Sequence, residues 1–93
     1  MGAGQKRAGP MDALEREREH LVEADRHMAA AKQRVEQQKR VIEKLVQDGH
    51  DTRAATSLLD AMERGLDALE HHREIVVEMI RTFEAVANQV GRV

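Results

Sequence analysis

Two long series of apolar residues, each recurring at every seventh position, flank a short break near the middle of the chain. A heptad series sustained over five repeats is typical of a helix that packs along one seam. In the first half of the chain the apolar series, labelled a, consists of Leu14, Leu21, Met28, Val35 and Ile42. Three residues after each lie the d positions Glu17, Ala24, Ala31, Gln38 and Leu45.

The second half of the chain carries three stripes of mainly apolar residues instead of two. Its a series is Ala55, Met62, Leu69, Val76, Phe83 and Val90, and its d series is Leu58, Gly65, His72, Met79 and Val86. A third stripe, labelled e, consists of Leu59, Leu66, Arg73, Ile80 and Ala87. This arc is wider than one neighbouring helix can cover. We expect the a and d series to face the first helix and the e stripe to lack a partner within the chain.

The break itself has the features of a tight helix–helix turn. Gly49 suits the left-handed conformation that closes a helix, and Asp51 suits the N-cap of the next helix, with Thr52 as the alternative cap. The predicted organisation is a disordered tail over residues 1–10, a first helix over about 11–48, a turn at 49–51 and a second helix over about 52–90. So short a connection predicts antiparallel neighbours.

Composition excludes several classes of protein. The chain has 34% charged residues, one Phe and no Trp, Tyr or Cys, which is typical of long helices and not of a globule with an aromatic core. Without Cys there are no disulfides, no thiolate chemistry and no Cys-based zinc site. The longest strongly apolar run, at residues 75–77, is far shorter than a membrane span, and the N-terminus lacks the apolar core of a signal peptide. We expect a cytoplasmic protein without membrane contact.

The two halves also match in register. If Asp48 lies opposite Thr52, Val35 meets Gly65 and Ala31 meets Leu69, so that large side chains face small ones. The uncovered e stripe then predicts a homodimer that forms a four-helix bundle. The fold class is therefore all-α, a long antiparallel hairpin that pairs with a second copy. The candidate interface residues are Leu59, Leu66, Ile80, Ala87, Val41 and Val46.

His27 and His72 fall at nearly the same level in this register, with His72 at a core d position. The interpretation we favour is a polar layer that specifies register or oligomeric state. The alternatives are a pH-sensitive interface and a metal site. Glu17 and His20 have the spacing of a di-iron ligand pair, but the second helix has no carboxylate at a, d or e to complete the ligand set. We therefore expect no metal and no cofactor.

The sequence contains no recognisable catalytic apparatus. Ser57 is the only serine, and no His/Asp pair is spaced to activate it or a threonine. A glycine-rich phosphate-binding loop is also absent. We predict a protein that is not an enzyme.

Several residues together resemble a family of short bacterial helical proteins that has no assigned activity. They form the strings His20-Leu-x-x-Ala-x-x-His27-Met, Arg34-Val-x-x-Gln38-x-x-x-Ile42-x-x-Leu45, Asp48-Gly-His-Asp-Thr52, Ala55-x-x-Leu-Leu59 and His72-Arg73. The resemblance covers roughly residues 20–80. It departs from the family pattern at Ala31, Arg34 and Ala54, where members often carry Gly, His and Glu. The resemblance implies the helical hairpin and implies no function.

Two functions fit this shape. The first is a non-catalytic scaffold or interaction module that acts as a homodimer on a protein partner. The alternative is a small RNA- or DNA-binding hairpin dimer, whose candidate contacts are Arg26, Lys32, Arg34, Lys39, Arg40 and Lys44. A net charge of −2, the interleaved Glu36 and Glu43, and the lack of aromatics to stack on bases all argue against nucleic acid.

Overall fold

The protein is all-helical over the part of the chain that its computed structural model describes, residues 9–90. Helix α1 spans Pro10–Gln47 and helix α2 spans Arg53–Val90, each 38 residues long. At 1.5 Å per residue each helix is about 57 Å long. The two pack side by side as an antiparallel hairpin, which confirms the predicted all-α hairpin. Most of the predicted tail, residues 1–8, lies outside the described residues, as do residues 91–93.

Helix α1 begins at its proline. Pro10 occupies the first helical position, where its missing N–H and fixed φ are no disadvantage. The Gly9 carbonyl accepts the Ala13 N–H at 3.1 Å, and the Gly9 N–H donates to a carboxylate oxygen of Asp12 at 3.3 Å. Asp12 therefore stabilises the start of α1 from the first turn, where a negative charge is also favoured by the helix dipole.

The predicted turn is confirmed at Gly49, which has a φ of +73°. The Gly49 N–H donates to the Val46 carbonyl and the His50 N–H donates to the Leu45 carbonyl. This is the double hydrogen bond of a Schellman motif, and it satisfies carbonyls that the end of α1 would otherwise leave unpaired. Helix α1 ends at Gln47, one residue before the predicted end.

Helix α2 begins at Arg53, so the N-cap position falls at Thr52, the alternative cap, and Asp51 stabilises the start of α2 from one residue earlier. One of its carboxylate oxygens accepts the Arg53 N–H at 2.9 Å, and the Thr52 carbonyl accepts the Thr56 N–H at 2.8 Å. The Arg53 guanidinium also binds this carboxylate, and these hydrogen bonds, the side-chain bonds foremost, lower the pKa of Asp51. Both side chains are exposed, so the pair fixes where the helix begins and adds little to the free energy of folding.

The core of the hairpin is narrow. Leu14, Ala24, Val35 and Val76 are its most deeply buried apolar side chains, all at the contact between the helices. Near the turn, the Gln38 amide donates to the Ala55 carbonyl at 2.9 Å, so this polar residue is satisfied inside the contact. A two-layer arrangement this thin leaves a large part of each helix exposed.

We expect Gly49→Val to destabilise the hairpin by at least about 1 kcal/mol, because a β-branched residue is strained at positive φ. No atom lies within 4 Å of the point that a Cβ would occupy at Gly49, so the loss would come from the backbone alone. Thermal unfolding followed by circular dichroism measures it. Gly49→Asn is the matched control, since Asn tolerates this conformation and should cost much less. Equal melting temperatures for the wild type and Gly49→Val would contradict this account of the turn.

Candidate interaction surface

The seam of α1 lies where the sequence predicts it. The residues at its a and d positions between Leu14 and Leu45 are all buried or half-buried. They include Glu17, which is 9% exposed and lies 3.4 Å from the His20 ring nitrogen Nδ1. The heptad pattern of α1 is thereby confirmed.

The seam of α2 differs from the prediction. From Ala55 to Ala87 the residues of the a and e series are half-buried or, at Val76, buried, whereas the d residues Leu58, Gly65, His72, Met79 and Val86 are exposed. The expectation that the e stripe lacks a partner within the chain is wrong. Leu66 lies with Ala31 along one groove between the helices, and Ala87 lies with Leu14 along another.

Side-chain size explains which stripe packs against α1. The two stripes differ most at Leu66, where the d stripe has Gly65, because a leucine buries apolar area that a glycine cannot offer. Because the free energy gained scales with the apolar area removed from water, α2 turns its e stripe inward. Val35 does not fill the space beside Gly65 as predicted, since no atom lies within 4 Å of where a Cβ on Gly65 would be.

The register along the helices agrees with the prediction to within one helical turn. Asp25 pairs with Arg73 at 2.6 Å and Arg18 pairs with Glu84 at 3.2 Å, both between the two helices. Ala31 and Leu69, predicted to lie at one level, line the same groove. The error therefore concerns the rotation of α2 about its axis and not its position along α1.

The candidates for contact with a second copy must be reassigned. Leu59, Leu66, Ile80 and Ala87 are half-buried, so most of each side chain is already covered within the hairpin. Val41 and Val46 are 48% and 63% exposed and remain available.

A second seam runs along the outside of α2, and we call it the outer stripe. Its members are spaced alternately by three and four residues, none is charged, and all are exposed: Leu58, Ala61, Gly65, Ala68, His72, Ile75, Met79, Thr82 and Val86. Inspection of the d series alone misses this stripe. The signal that reveals it is the absence of Asp, Glu, Lys and Arg from all nine of these positions.

The two edges of the hairpin differ in chemistry. One edge carries the ion pairs Arg18–Glu84 and Asp25–Arg73, whose side chains remain about half exposed. The other edge is formed by the outer stripe together with His20 and His27 of α1. A surface rich in ion pairs is suited to water, whereas a long uncharged stripe is typical of an interface.

The histidines gather at this second edge. His20, His27 and His72 line one groove with Ala24 and Leu69, so His27 and His72 do lie at one level. Both imidazoles are nevertheless exposed in the hairpin. The predicted polar layer is therefore not buried between the helices of one chain, because the d stripe that carries His72 turns outward.

The basic residues of α1 do not share one face. Arg26, Lys32, Arg34, Lys39, Arg40 and Lys44 are all exposed but are distributed around most of the helix. Lys39 pairs with Glu36 at 3.4 Å, which reduces the positive potential along this segment. A strip that follows a phosphate backbone needs its cations aligned on one side.

Within residues 9–90, no three His, Asp or Glu side chains come close enough together to hold a metal ion. Neither helix contains an apolar stretch of the length that a membrane span requires. No family model matches the chain, and neither the curated proteins nor the solved structures include a significant match to it.

Leu66→Ala and Leu58→Ala form a matched pair that tests which stripe of α2 packs inward. We expect Leu66→Ala to lower the free energy of unfolding by about 2 kcal/mol, since a core leucine is truncated. Leu58 is 52% exposed, and its truncation in a single hairpin should cost under about 0.5 kcal/mol. Urea unfolding at concentrations low enough to yield single chains measures both. The reverse order would restore the d stripe as the seam.

Proposed function

We propose that the protein is a non-catalytic helical scaffold, acting in the cytoplasm as a homodimer that forms a four-helix bundle and presents its polar faces to a protein partner. The observation that carries the proposal is the outer stripe of α2, a continuous uncharged surface that the hairpin leaves exposed. The stripe spans residues 58–86, so it runs for about 43 Å along the helix.

The exposure of this stripe is unfavourable for a single hairpin. Leu58, Ile75, Met79 and Val86 are 52%, 47%, 38% and 39% exposed. Each square ångström of apolar surface left in water forgoes about 25 cal/mol of transfer free energy. A second copy that covered the stripe would recover this free energy and complete a bundle core.

A second copy of the chain is the partner that best matches the chemistry of the outer stripe. A twofold axis through the stripe places the same stripe against itself, so an uncharged surface meets another uncharged surface over its whole length. The ion-paired edge, with Arg18–Glu84 and Asp25–Arg73, then stays in water on the outside.

The polar side chains support binding over catalysis. Arg81 pairs with Glu78 and Arg64 with Asp60, each along one face of α2 and each exposed. Such pairs solvate a helix surface and do not converge on an enclosed site, which acid–base or nucleophilic catalysis requires. The dispersed cations of α1 likewise favour a protein partner over nucleic acid.

Light scattering at micromolar concentration should report about twice the 10.5 kDa chain mass. Met79→Glu should reduce the mass to that of one chain with helicity retained, because two carboxylates would have to be buried in the interface. The matched control is Val22→Glu, which alters a residue 50% exposed on the other side of the hairpin and should leave the mass unchanged. A wild type that is monomeric and fully helical would refute the proposal.

A further inference from the structure

We infer that the two copies join through their α2 helices, packed antiparallel about a twofold axis at the level of Glu70. This inference rests on the proposed homodimer and specifies its geometry. The outer stripe of each copy would then lie on the outer stripe of the other in one particular register.

The register follows first from side-chain size. Centred on Glu70, an antiparallel pairing puts Gly65 opposite the partner's Ile75, Ala61 opposite the partner's Met79, and Ala68 opposite the partner's His72. Every small residue of the stripe therefore faces a large one. Cores that alternate large and small side chains across a contact reach the packing density of protein interiors.

A shift by one heptad in either direction destroys this match. In one direction Gly65 falls opposite the partner's Ala68, which leaves a void where two small residues meet. In the other direction His72 falls opposite the partner's Ile75, and two large side chains compete for the same space. Voids and overpacking both cost free energy.

The charges beside the stripe select the same register. Arg64 lies opposite the partner's Glu78, and the symmetry repeats this pair, with His71 of each copy between the two. Within a single hairpin Arg64 lies 3.2 Å from Asp60, and Glu78 pairs with Arg81, all on exposed side chains. These intrahelical pairs are weak, so breaking them to form ion pairs across the interface costs little free energy.

The charges on α1 agree with the same register. The Asp25–Arg73 pair shows that Glu70 lies near the level of Met28. A twofold axis there puts Glu23, which lies in the groove beside His27, opposite the partner's Arg34. Opposite charges therefore meet on α1 as well as on α2.

The charges of Glu23 and Arg34 also oppose the other twofold arrangement, in which α2 packs on the partner's α1. That arrangement would cover the uncharged outer stripe with the Glu23 and Arg34 edge of α1. Charged groups would then be desolvated against apolar side chains, at a cost that pairing like stripes avoids.

Paired cysteines test the register, because the chain has no Cys of its own. The Gly65→Cys/Ile75→Cys variant should form a covalent dimer with two disulfides under mild oxidation with diamide. Within one helix these positions are about 15 Å apart, too far for a disulfide inside the chain. A cysteine at position 65 also meets no neighbour in its own hairpin.

Two control variants report the neighbouring registers. Ala68→Cys/Met79→Cys and Leu58→Cys/Ile75→Cys should link at least about tenfold more slowly, since their thiols lie about a heptad apart, beyond disulfide reach. Faster linking of either control would overturn the register and leave the homodimer standing. Self-linking of Gly65→Cys alone would show a different centre or a parallel dimer. A chain that links in no variant and has the mass of a monomer would overturn both proposals.

Charge exchange gives a readout that needs no covalent bond. Arg64→Glu or Glu78→Arg alone should raise the dimer dissociation constant about 2- to 30-fold, as expected for two exposed ion pairs per dimer. The double exchange restores both pairs and should bring the dissociation constant back to within about threefold of the wild type. If the effects of the two substitutions on the dissociation constant multiply instead, Arg64 does not meet the partner's Glu78.

Discussion

The structure depends on which of two apolar stripes of α2 packs against α1. Leu59, Leu66 and Ile80 compete with a stripe that contains Gly65 and His72, and the bulkier aliphatic stripe is the one that is buried. This choice fixes the rotation of α2 and therefore determines which residues remain outside. The turn at Gly49 only sets the antiparallel order of the helices.

That rotation gives the hairpin two unlike edges. The edge with Arg18–Glu84 and Asp25–Arg73 is suited to water, whereas the outer stripe carries no charge over residues 58–86. A mid-helix glycine such as Gly65 lowers helix stability by about 0.5–1 kcal/mol relative to alanine. Within one hairpin, no neighbouring atom is close enough to exclude a side chain at position 65. Close approach of a second helix in the proposed dimer would explain why this position is a glycine.

Much of the fold could be predicted from the sequence, because heptads, Asp51 before α2 and a turn glycine are local signals. Helix bounds were accurate to about one residue at the turn, and the α1 seam was correct throughout. The rotation of α2 about its axis was predicted wrongly, because its a, d and e series all carry apolar residues and periodicity alone does not rank them. Comparing the side chains in the d and e series would have ranked them. The prediction of a buried His72 is wrong for the same reason, since His72 belongs to the d series.

Distances between identical positions in the two copies test the central claim most directly. Nitroxide labels on Ser57→Cys, His71→Cys and Ala85→Cys, measured by pulsed electron paramagnetic resonance, report the separation of each site from its copy. An antiparallel α2 pair centred on Glu70 predicts about 39 Å at position 57, about 10 Å at 71 and about 45 Å at 85. Packing of α2 on the partner's α1 would instead give similar short distances at all three positions, and that result would contradict the account.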